Sequence, residues 1–503
     1  MCGIAGGWGA VPPGDVAAMT VALAHRGPDD AGLHEAGRSV LGHRRLSIVD
    51  PERGAQPIVD RSGHFEVVVV VNGEIYNAPD LRRELAGRPW RTGSDSEVVL
   101  HLLGGRDPGG PADLAADLAA DLAADTAAAA RLRGMFAFAV QRDGELLLGR
   151  DPVGIKPLYL GRRGADTVFA SEVKAFPPGT REVRPLAPGT LWSSRSGVSR
   201  FGAIPDPQPQ ARPAAAHVRS VRTALERSVD RHLMADVPVG AFLSGGLDSS
   251  AICALLARRV PRLDTFAVGL PGSPDLAAAR QVAEHLGTVH HERVVDPAEI
   301  AEALPRIVWS LESTDPDLVR SAVPTWFVAE LAARHVKVVL TGEGADELFA
   351  GYRYHTEVPR ELLHAELRRS LGAMHAINLQ RVDRMTMAHS LEARVPFLDL
   401  DFVDTALQVP VDLALPPGGP EKWVLREAVA DLLPPEIVWR TKAQFDEGTG
   451  IGDLVDRALA EHWPSAGDRP LEAVLAGVAE PEMVAHVAAV AGTWAAGRLG
   501  QVA

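Results

Sequence analysis

Cysteine is almost absent. The 503 residues contain two, Cys2 and Cys253, too few for a disulfide framework. The expectation is a reducing compartment, the cytoplasm. Long apolar runs are missing too: no stretch reaches the roughly 18 residues of a membrane-spanning helix. No charged segment followed by an apolar one opens the chain, so an export signal is not expected. Positive charge is in deficit. Lys and Arg number 51 against 65 Asp and Glu, a formal net charge of −14. That balance argues against nucleic acid or an anionic membrane as partner. The Gly-x4-Gly-Lys-Ser/Thr phosphate loop is not present either. What is present is 46% apolar residues. At this length that supports two or three domains, each with its own core.

The stretch Phe242-Leu243-Ser244-Gly245-Gly246-Leu247-Asp248-Ser249-Ser250 organises the second half. The apolar run Val237 to Leu243 reads as a strand, and Ala251 to Ala257 as a helix. A Gly/Ser turn between them aims backbone N–H groups and a positive helix end at an anion. Gly245 and Gly246 let the backbone approach a phosphate closely. Asp248 sits inside the turn, and a carboxylate beside phosphates needs a cation between them, so Mg²⁺ is expected. Taken alone, the turn fits a plain flexible connection equally well. It resembles the pyrophosphate loop of enzymes that cleave ATP between the α- and β-phosphates.

The chain opens Met1-Cys2-Gly3. Removal of Met1 leaves a cysteine with a free α-amine. The amine's pKa is about 8 and the thiol's about 8.5. The amine can therefore take the thiol proton without a histidine. Further blocks follow: His25 to Asp29, Gly42 to Asp50, Val71 to Asn77, Thr92 to Glu97, Gly134 to Phe138 and Gly149 to Tyr159. Together they resemble the class II glutamine amidotransferase domain, an α+β sandwich with an N-terminal nucleophile, over Cys2 to about Lys174. The resemblance implies roles. Cys2 is the nucleophile. The Asn72 amide and the Gly73 backbone N–H form the oxyanion hole, where fixed donors are needed. Arg45 holds the glutamine α-carboxylate, for which a guanidinium is suited. Asp95 and the Gly73-Glu74 backbone hold the α-ammonium, and Leu46, Ser47, Ile48 and Val49 complete the glutamine pocket. Singly, Asn72-Gly73 also reads as a hairpin turn, and Arg45 and Asp95 as surface charges.

One segment departs from that pattern. Asp113, Asp117, Asp121 and Asp125 recur every fourth residue, as do Leu114, Leu118 and Leu122. In an Ala-rich run this predicts a helix whose leucines dock and whose acids face water. No chemistry is expected of it.

Pro205, Pro207, Pro209 and Pro213 mark a linker over 201–216. The expected domains are 1–200, 217–460 and an Ala-rich, helical tail 461–503. After the linker, apolar runs alternate with helical patterns, which predicts a doubly wound parallel α/β sheet. Thr265 to Leu270 is a second strand, and Val336 to Leu340 a third. The third leads into Thr341-Gly342-Glu343-Gly344-Ala345-Asp346-Glu347. Acids gathered at a strand's carboxyl end need a metal or a reaction to use them. Asp346 can join Asp248 on Mg²⁺, and Glu343 is placed as a general base. A solvated helix start is the plainer alternative.

With Phe266 to Asp275, His285 to His291, Thr341 to Tyr352, Glu392 to Asp399, Glu421-Lys422, Leu425 to Glu427 and Trp439 to Phe445, the chain resembles bacterial-type, glutamine-hydrolysing asparagine synthetases from residue 2 to about 455. That implies ATP and Mg²⁺, glutamine and aspartate as substrates, a β-aspartyl-AMP intermediate, and assembly as a homodimer. It places Leu243, Ser244, Gly245, Gly246, Asp248, Ser249, Val268, Thr341, Gly342 and Lys442 at the nucleotide. Arg320, Glu343 and Asp346 fall at the acceptor. The family's Thr-Thr pair ahead of that arginine is replaced here by Asp317 and Leu318. Another carboxylate acceptor, amidated in a biosynthetic pathway, is therefore the alternative.

Overall fold

The computed structural model describes residues 2–62, 65–104, 114–441, 450–467 and 469–499. They form two compact units, divided between Ala203 and Ile204, and the segment from Glu480 onward belongs to the first.

In the first unit two six-stranded antiparallel sheets stack. One has the order β10-β8-β9-β1-β3-β2 and the other β12-β11-β7-β6-β5-β4. The first comprises β1 (Cys2–Trp8), β2 (Asp30–Ala36), β3 (Ser39–Arg45), β8 (Tyr159–Arg163), β9 (Asp166–Ala170) and β10 (Arg181–Pro185). The second comprises β4 (Ile58–Asp60), β5 (Val67–Ile75), β6 (Gly134–Arg142), β7 (Glu145–Arg150), β11 (Thr190–Ser193) and β12 (Gly197–Arg200). Five consecutive valines open β5, and β-branched side chains suit a buried pleated strand. Alternation sends them to two cores. Val68 and Val70 meet Ile4, Leu41 and Phe169 between the sheets. Val67, Val69 and Val71 meet Val98, Val99 and Leu103 of the covering helix Glu97–Leu103. The expected α+β sandwich is what forms, and it brings the start of β1 against Asn72 near the end of β5.

The block Gly149 to Tyr159 is a structural knot. Asp151, fully buried, accepts N–H bonds from Val153 (3.1 Å), Gly154 (2.7 Å) and Ile155 (3.0 Å) on one oxygen, and from Phe136 (3.3 Å) and Lys156 (3.0 Å) on the other. Arg150 donates to the carbonyls of Gly154, Lys156 and Leu186 at 2.7–2.8 Å. An amide at position 151 would turn an NH₂ toward backbone donors and strand some of them. Asp151→Asn is expected to destabilise the first unit by roughly 3–5 kcal/mol. The check is thermal unfolding: at about 2–4 °C per kcal/mol the first transition should fall by on the order of 10 °C. An unchanged transition would remove this role.

The repeat forms the helix Leu114–Ala129, and Asp113 lies outside the described residues. Leu122 packs on the core, as expected. Asp125 does not face water. It is buried and paired with Arg142 of β6, because burying an arginine there demands a counter-charge. The tail ends in the helix Pro481–Leu499, which packs on β10. The Glu482 carboxylate accepts from Gly179 N–H (3.1 Å), and His486 Nε2 lies 3.0 Å from the Thr180 carbonyl.

In the second unit five parallel strands take the order β15-β14-β13-β16-β17. They are β13 (Val239–Phe242), β14 (Asp264–Gly269), β15 (Val289–Val294), β16 (Val338–Leu340) and β17 (Glu392–Arg394). β13 starts later than the apolar run, after Pro238, which has no N–H for the ladder. The sheet grows one way from β13 to β15 and the other way from β16, so the switch point lies between β13 and β16. Ligands of such sheets bind at the carboxyl ends of the strands there. The proline-rich segment lies along this unit: Gln208 and Gln210 N–H groups donate to the carbonyls of Leu407 (3.3 Å) and Gln408 (2.9 Å). Its last residues, from Ala214, already belong to the helix Ala214–His232. Among the described residues no helix is long and apolar enough to cross a membrane.

Candidate active sites

In the first unit Cys2 heads β1, in register with Arg45 of β3, and is buried. Its N–H donates to Asn72 Oδ1 at 3.1 Å. That bond fixes which way the Asn72 amide faces. Asn72 Nδ2 is then a buried donor with no hydrogen-bond partner among the described residues. A buried, unsatisfied amide is costly, and a structure keeps one where a bound group completes it. The Cys2 carbonyl accepts from Arg26 Nε at 3.0 Å. Arg26 is held by Glu172 (2.6 Å), which also binds Lys174 (2.6 Å) and His25 (2.8 Å). The block His25 to Asp29 thus serves to anchor the first residue of β1.

Gly73 has φ +128°, and a Cβ there would meet the Met135 carbonyl oxygen at 2.0 Å, so only glycine fits. Asp95, buried, accepts from Ile75 N–H at 2.6 Å, which ties it to the end of β5 beside Glu74. Arg45 is buried, and its terminal nitrogens donate to the carbonyls of Val49 (3.2 Å), Asp50 (2.7 Å) and Pro51 (2.9 Å). Leu46, Ser47 and Ile48 lie buried between, with Ser47 N–H donating to Asp29 at 2.7 Å. Cys2, Arg45 and Asn72 thus meet at the head of β1, and Asp95 is tied to the end of β5 that carries Gly73 and Glu74. His43, also on β3, is fully buried, and burial pushes its pKa down to about 3. It is too weak a base to serve a thiol at neutral pH.

In the second unit the expected turn joins β13 to the helix Leu247–Ala257. Gly245 has φ +73°, and a Cβ would meet Ala278 Cβ at 2.5 Å. The Ser249 hydroxyl lies 3.0 Å from Ser244 Oγ and accepts from Ser244 N–H at 3.2 Å. Arg440 holds the turn from outside, donating to the Gly245 carbonyl (3.2 Å) and pairing with Asp275 (2.7 Å). Across the switch point, Thr341 follows β16, and a Cβ on Gly342 would meet Asp248 Cβ and Ser249 N at 2.9 Å. The missing side chain lets the two turns touch. Leu243 and Val268 are buried at the same sheet end.

The two turns bring Asp248 and Asp346 to one point, as the sequence predicts. A cation of the chain itself is also there. Lys422 Nζ lies 2.5 Å from Asp248 and 2.6 Å from Asp346. It is 2% exposed. Burial works against its charge, but the two carboxylates outweigh it and raise its pKa well above the usual lysine range. Two acids around one ammonium leave a net negative charge, and two carboxylates reaching one point are a hard-oxygen donor set. They fit Mg²⁺ as well as lysine.

Glu343 pairs with buried Arg381. Behind it Glu347 accepts from Tyr352 O–H (2.6 Å) and Asn378 Nδ2 (3.0 Å). Burial, with the Asp346 charge, pushes Glu347 up to about 7. Arg320 stands apart from these acids, pairing with Asp317 (2.8 Å) and Asp456 (3.1 Å). The Asp317 side chain is 93% exposed, while Leu318 is buried. Asp315 caps their helix, Pro316–Ala332, by accepting from both N–H groups at 3.1 Å. Cys253 is buried, and burial alone raises its thiol pKa far up. Lys442, expected at the phosphates, lies outside the described residues. Lys422, Arg381 and Arg440 were not singled out from the sequence. Lys422 and Arg440 stand in blocks that carry the resemblance, but nothing local distinguishes them from surface charges.

The chain matches the family model described as asparagine synthase over residues 220–362 and 356–488. A glutamine amidotransferase domain model matches residues 43–178. Asparagine synthetase B [glutamine-hydrolyzing] of Escherichia coli (strain K12) is 40% identical over 459 residues, 85% of this chain and 78% of the relative. Asparagine synthetase [glutamine-hydrolyzing] of Asparagus officinalis is 39% identical, over 85% of this chain and 73% of the relative. For Asparagine synthetase [glutamine-hydrolyzing] 1 of Arabidopsis thaliana the figures are 37%, 87% and 76%. Likeness of this extent, across both units, means that the chain belongs to the family of glutamine-hydrolysing asparagine synthetases.

Proposed function

We propose that the protein makes asparagine from aspartate, with glutamine as nitrogen donor and ATP as the source of activation. In the first unit the α-amine of Cys2 takes the thiol proton, and the thiolate attacks the glutamine amide. Asn72 Nδ2 and the Gly73 N–H meet the oxyanion, while Arg45 and Asp95 hold the substrate's charged ends. Ammonia leaves, and water hydrolyses the thioester. In the second unit the Ser244 to Ser249 turn, Thr341, Gly342 and Lys442 cradle the phosphates, with Leu243 and Val268 against the base. Asp248 and Asp346 would hold Mg²⁺, which would supply charge neutralisation at the phosphates. The β-carboxylate of aspartate attacks the α-phosphorus. Pyrophosphate leaves, ammonia attacks the acyl-adenylate, and AMP departs as Glu343 takes a proton. Arg381 keeps that carboxylate in place, and Arg320 clamps the acceptor.

The observation that carries this reading is the meeting of Asp248, Asp346 and Lys422 at the switch point. A second reading, amidation of another carboxylate, rests on Asp317 and Leu318. Its force is reduced because Asp317 is exposed and already paired with Arg320. Screening carboxylic acids for pyrophosphate release decides between them. Aspartate should give the fastest release, with AMP in equal amount, and a different acid in that place would favour the second reading. Assembly as a homodimer, implied by the resemblance alone, is read from the molar mass in solution.

A further inference from the structure

At the far end of the second unit's sheet, three groups meet that the proposed reaction does not use. Asp264 is the first residue of β14, and His291 stands on β15 in register with Phe266. His335 follows the helix Pro316–Ala332 and precedes β16. These strands are parallel, so their amino ends lie opposite the carboxyl ends that carry the two turns.

A carboxylate oxygen of Asp264 and one ring nitrogen each of His291 and His335 all lie within 4.8 Å of one another. His291 Nε2 is 2.8 Å from Asp264 Oδ1, and the two imidazole centroids are 4.0 Å apart. Phe266 stacks on His291 with rings 15° apart and fixes that imidazole from behind. Ligands bound to zinc at about 2.0–2.1 Å stand roughly 3 Å from one another. The Asp264–His291 pair is therefore already at ligand spacing, and His335, exposed, can close the remainder by a side-chain rotation. His290 is engaged elsewhere, with Thr265 (2.9 Å) and Glu292 (3.2 Å). Arg262 lies 3.4 Å from the Asp264 oxygens and competes for them.

We propose that Asp264, His291 and His335 form a binding site for a divalent transition-metal ion of the zinc class. Two imidazoles and one carboxylate select such an ion over Mg²⁺, and three protein ligands leave a position for water. The bound ion ties β14, β15 and the approach to β16 together, remote from the reacting groups.

The test uses the full chain carrying Cys2→Ala, so that the terminal thiol offers no rival site, in excess Mg²⁺. Co²⁺ serves as the spectroscopic probe. About one equivalent should bind with visible d–d absorption, Zn²⁺ should displace it, and Zn²⁺ should raise the unfolding temperature. His335→Ala alters an exposed side chain, so the fold should persist by circular dichroism. It should weaken Co²⁺ binding by on the order of tenfold or more and leave ammonia-dependent synthesis unchanged. Arg262→Ala should tighten binding. No Co²⁺ bound to the parent chain, or equal binding with and without His335, would overturn the proposal.

Discussion

Cys2→Ala should abolish glutamine hydrolysis, a fall on the order of 10⁴-fold or more, and leave synthesis from free ammonia within about twofold of the parent. The loss is large because the thiol forms the covalent bond. Synthesis from ammonia should survive because the groups assigned to it, Asp248, Asp346, Glu343 and Lys422, belong to a separate compact unit. Asn72→Ala should cost less, about 10²–10³ in kcat, since it removes one oxyanion donor and keeps the nucleophile. It should also loosen the Cys2 backbone, which donates to Asn72 Oδ1 at 3.1 Å. The α-amine matters equally. If Met1 is retained, that nitrogen is an amide and cannot take a proton, so mass spectrometry of active enzyme should show Met1 removed. Glutaminase at the parental rate in the Cys2 variant would refute the assignment.

Lys422→Met should lower synthesis from ammonia by on the order of 10²–10³ in kcat/KM for ATP, while glutamine hydrolysis stays unchanged. The side chain is buried between two carboxylates. Removing it takes a fixed positive charge from between two carboxylates and leaves them facing each other in the free protein, which disturbs the site that must take up MgATP. The more telling measurement is a double-mutant cycle. Because Lys422 answers two acids at once, Asp346→Asn should relieve part of the damage from Lys422→Met. Asp248→Asn and Asp346→Asn, each weakening MgATP use, should likewise not add. Strictly additive losses would mean that the three groups act separately.

How much of this was legible in the sequence follows from what each residue's role depends on. The Gly245-Gly246 turn was legible because its shape is local: Gly245 has φ +73°, a conformation that favours glycine whatever lies opposite. Gly342 was placed by family likeness alone, and its contact with Asp248 and Ser249 emerges only in the fold. The doubly wound sheet was legible because buried parallel strands read as apolar runs between helices. Lys422 was not, since its partners lie 174 residues and 76 residues away in sequence and nothing adjacent marks it as buried. Arg381 was hidden in the same way. Asp125 misled: helical spacing puts every fourth residue on one face, but it does not say that a buried Arg142 waits on β6. Asp151 and Arg150 belonged to a block read only as family likeness, and their hydrogen bonds show a loop held rigid by a carboxylate.

The central claim is that nitrogen from glutamine reaches aspartate at the cost of ATP cleaved to AMP. Incubation of the purified protein with amide-¹⁵N glutamine, aspartate, ATP and Mg²⁺ tests it directly by mass spectrometry and ³¹P NMR. The prediction is ¹⁵N-labelled asparagine, AMP and pyrophosphate formed in equal amounts, with all three lowered by Asp346→Asn and labelled asparagine abolished by Cys2→Ala. Glutamine hydrolysis with no labelled asparagine, while another carboxylic acid supports pyrophosphate release, would contradict the account.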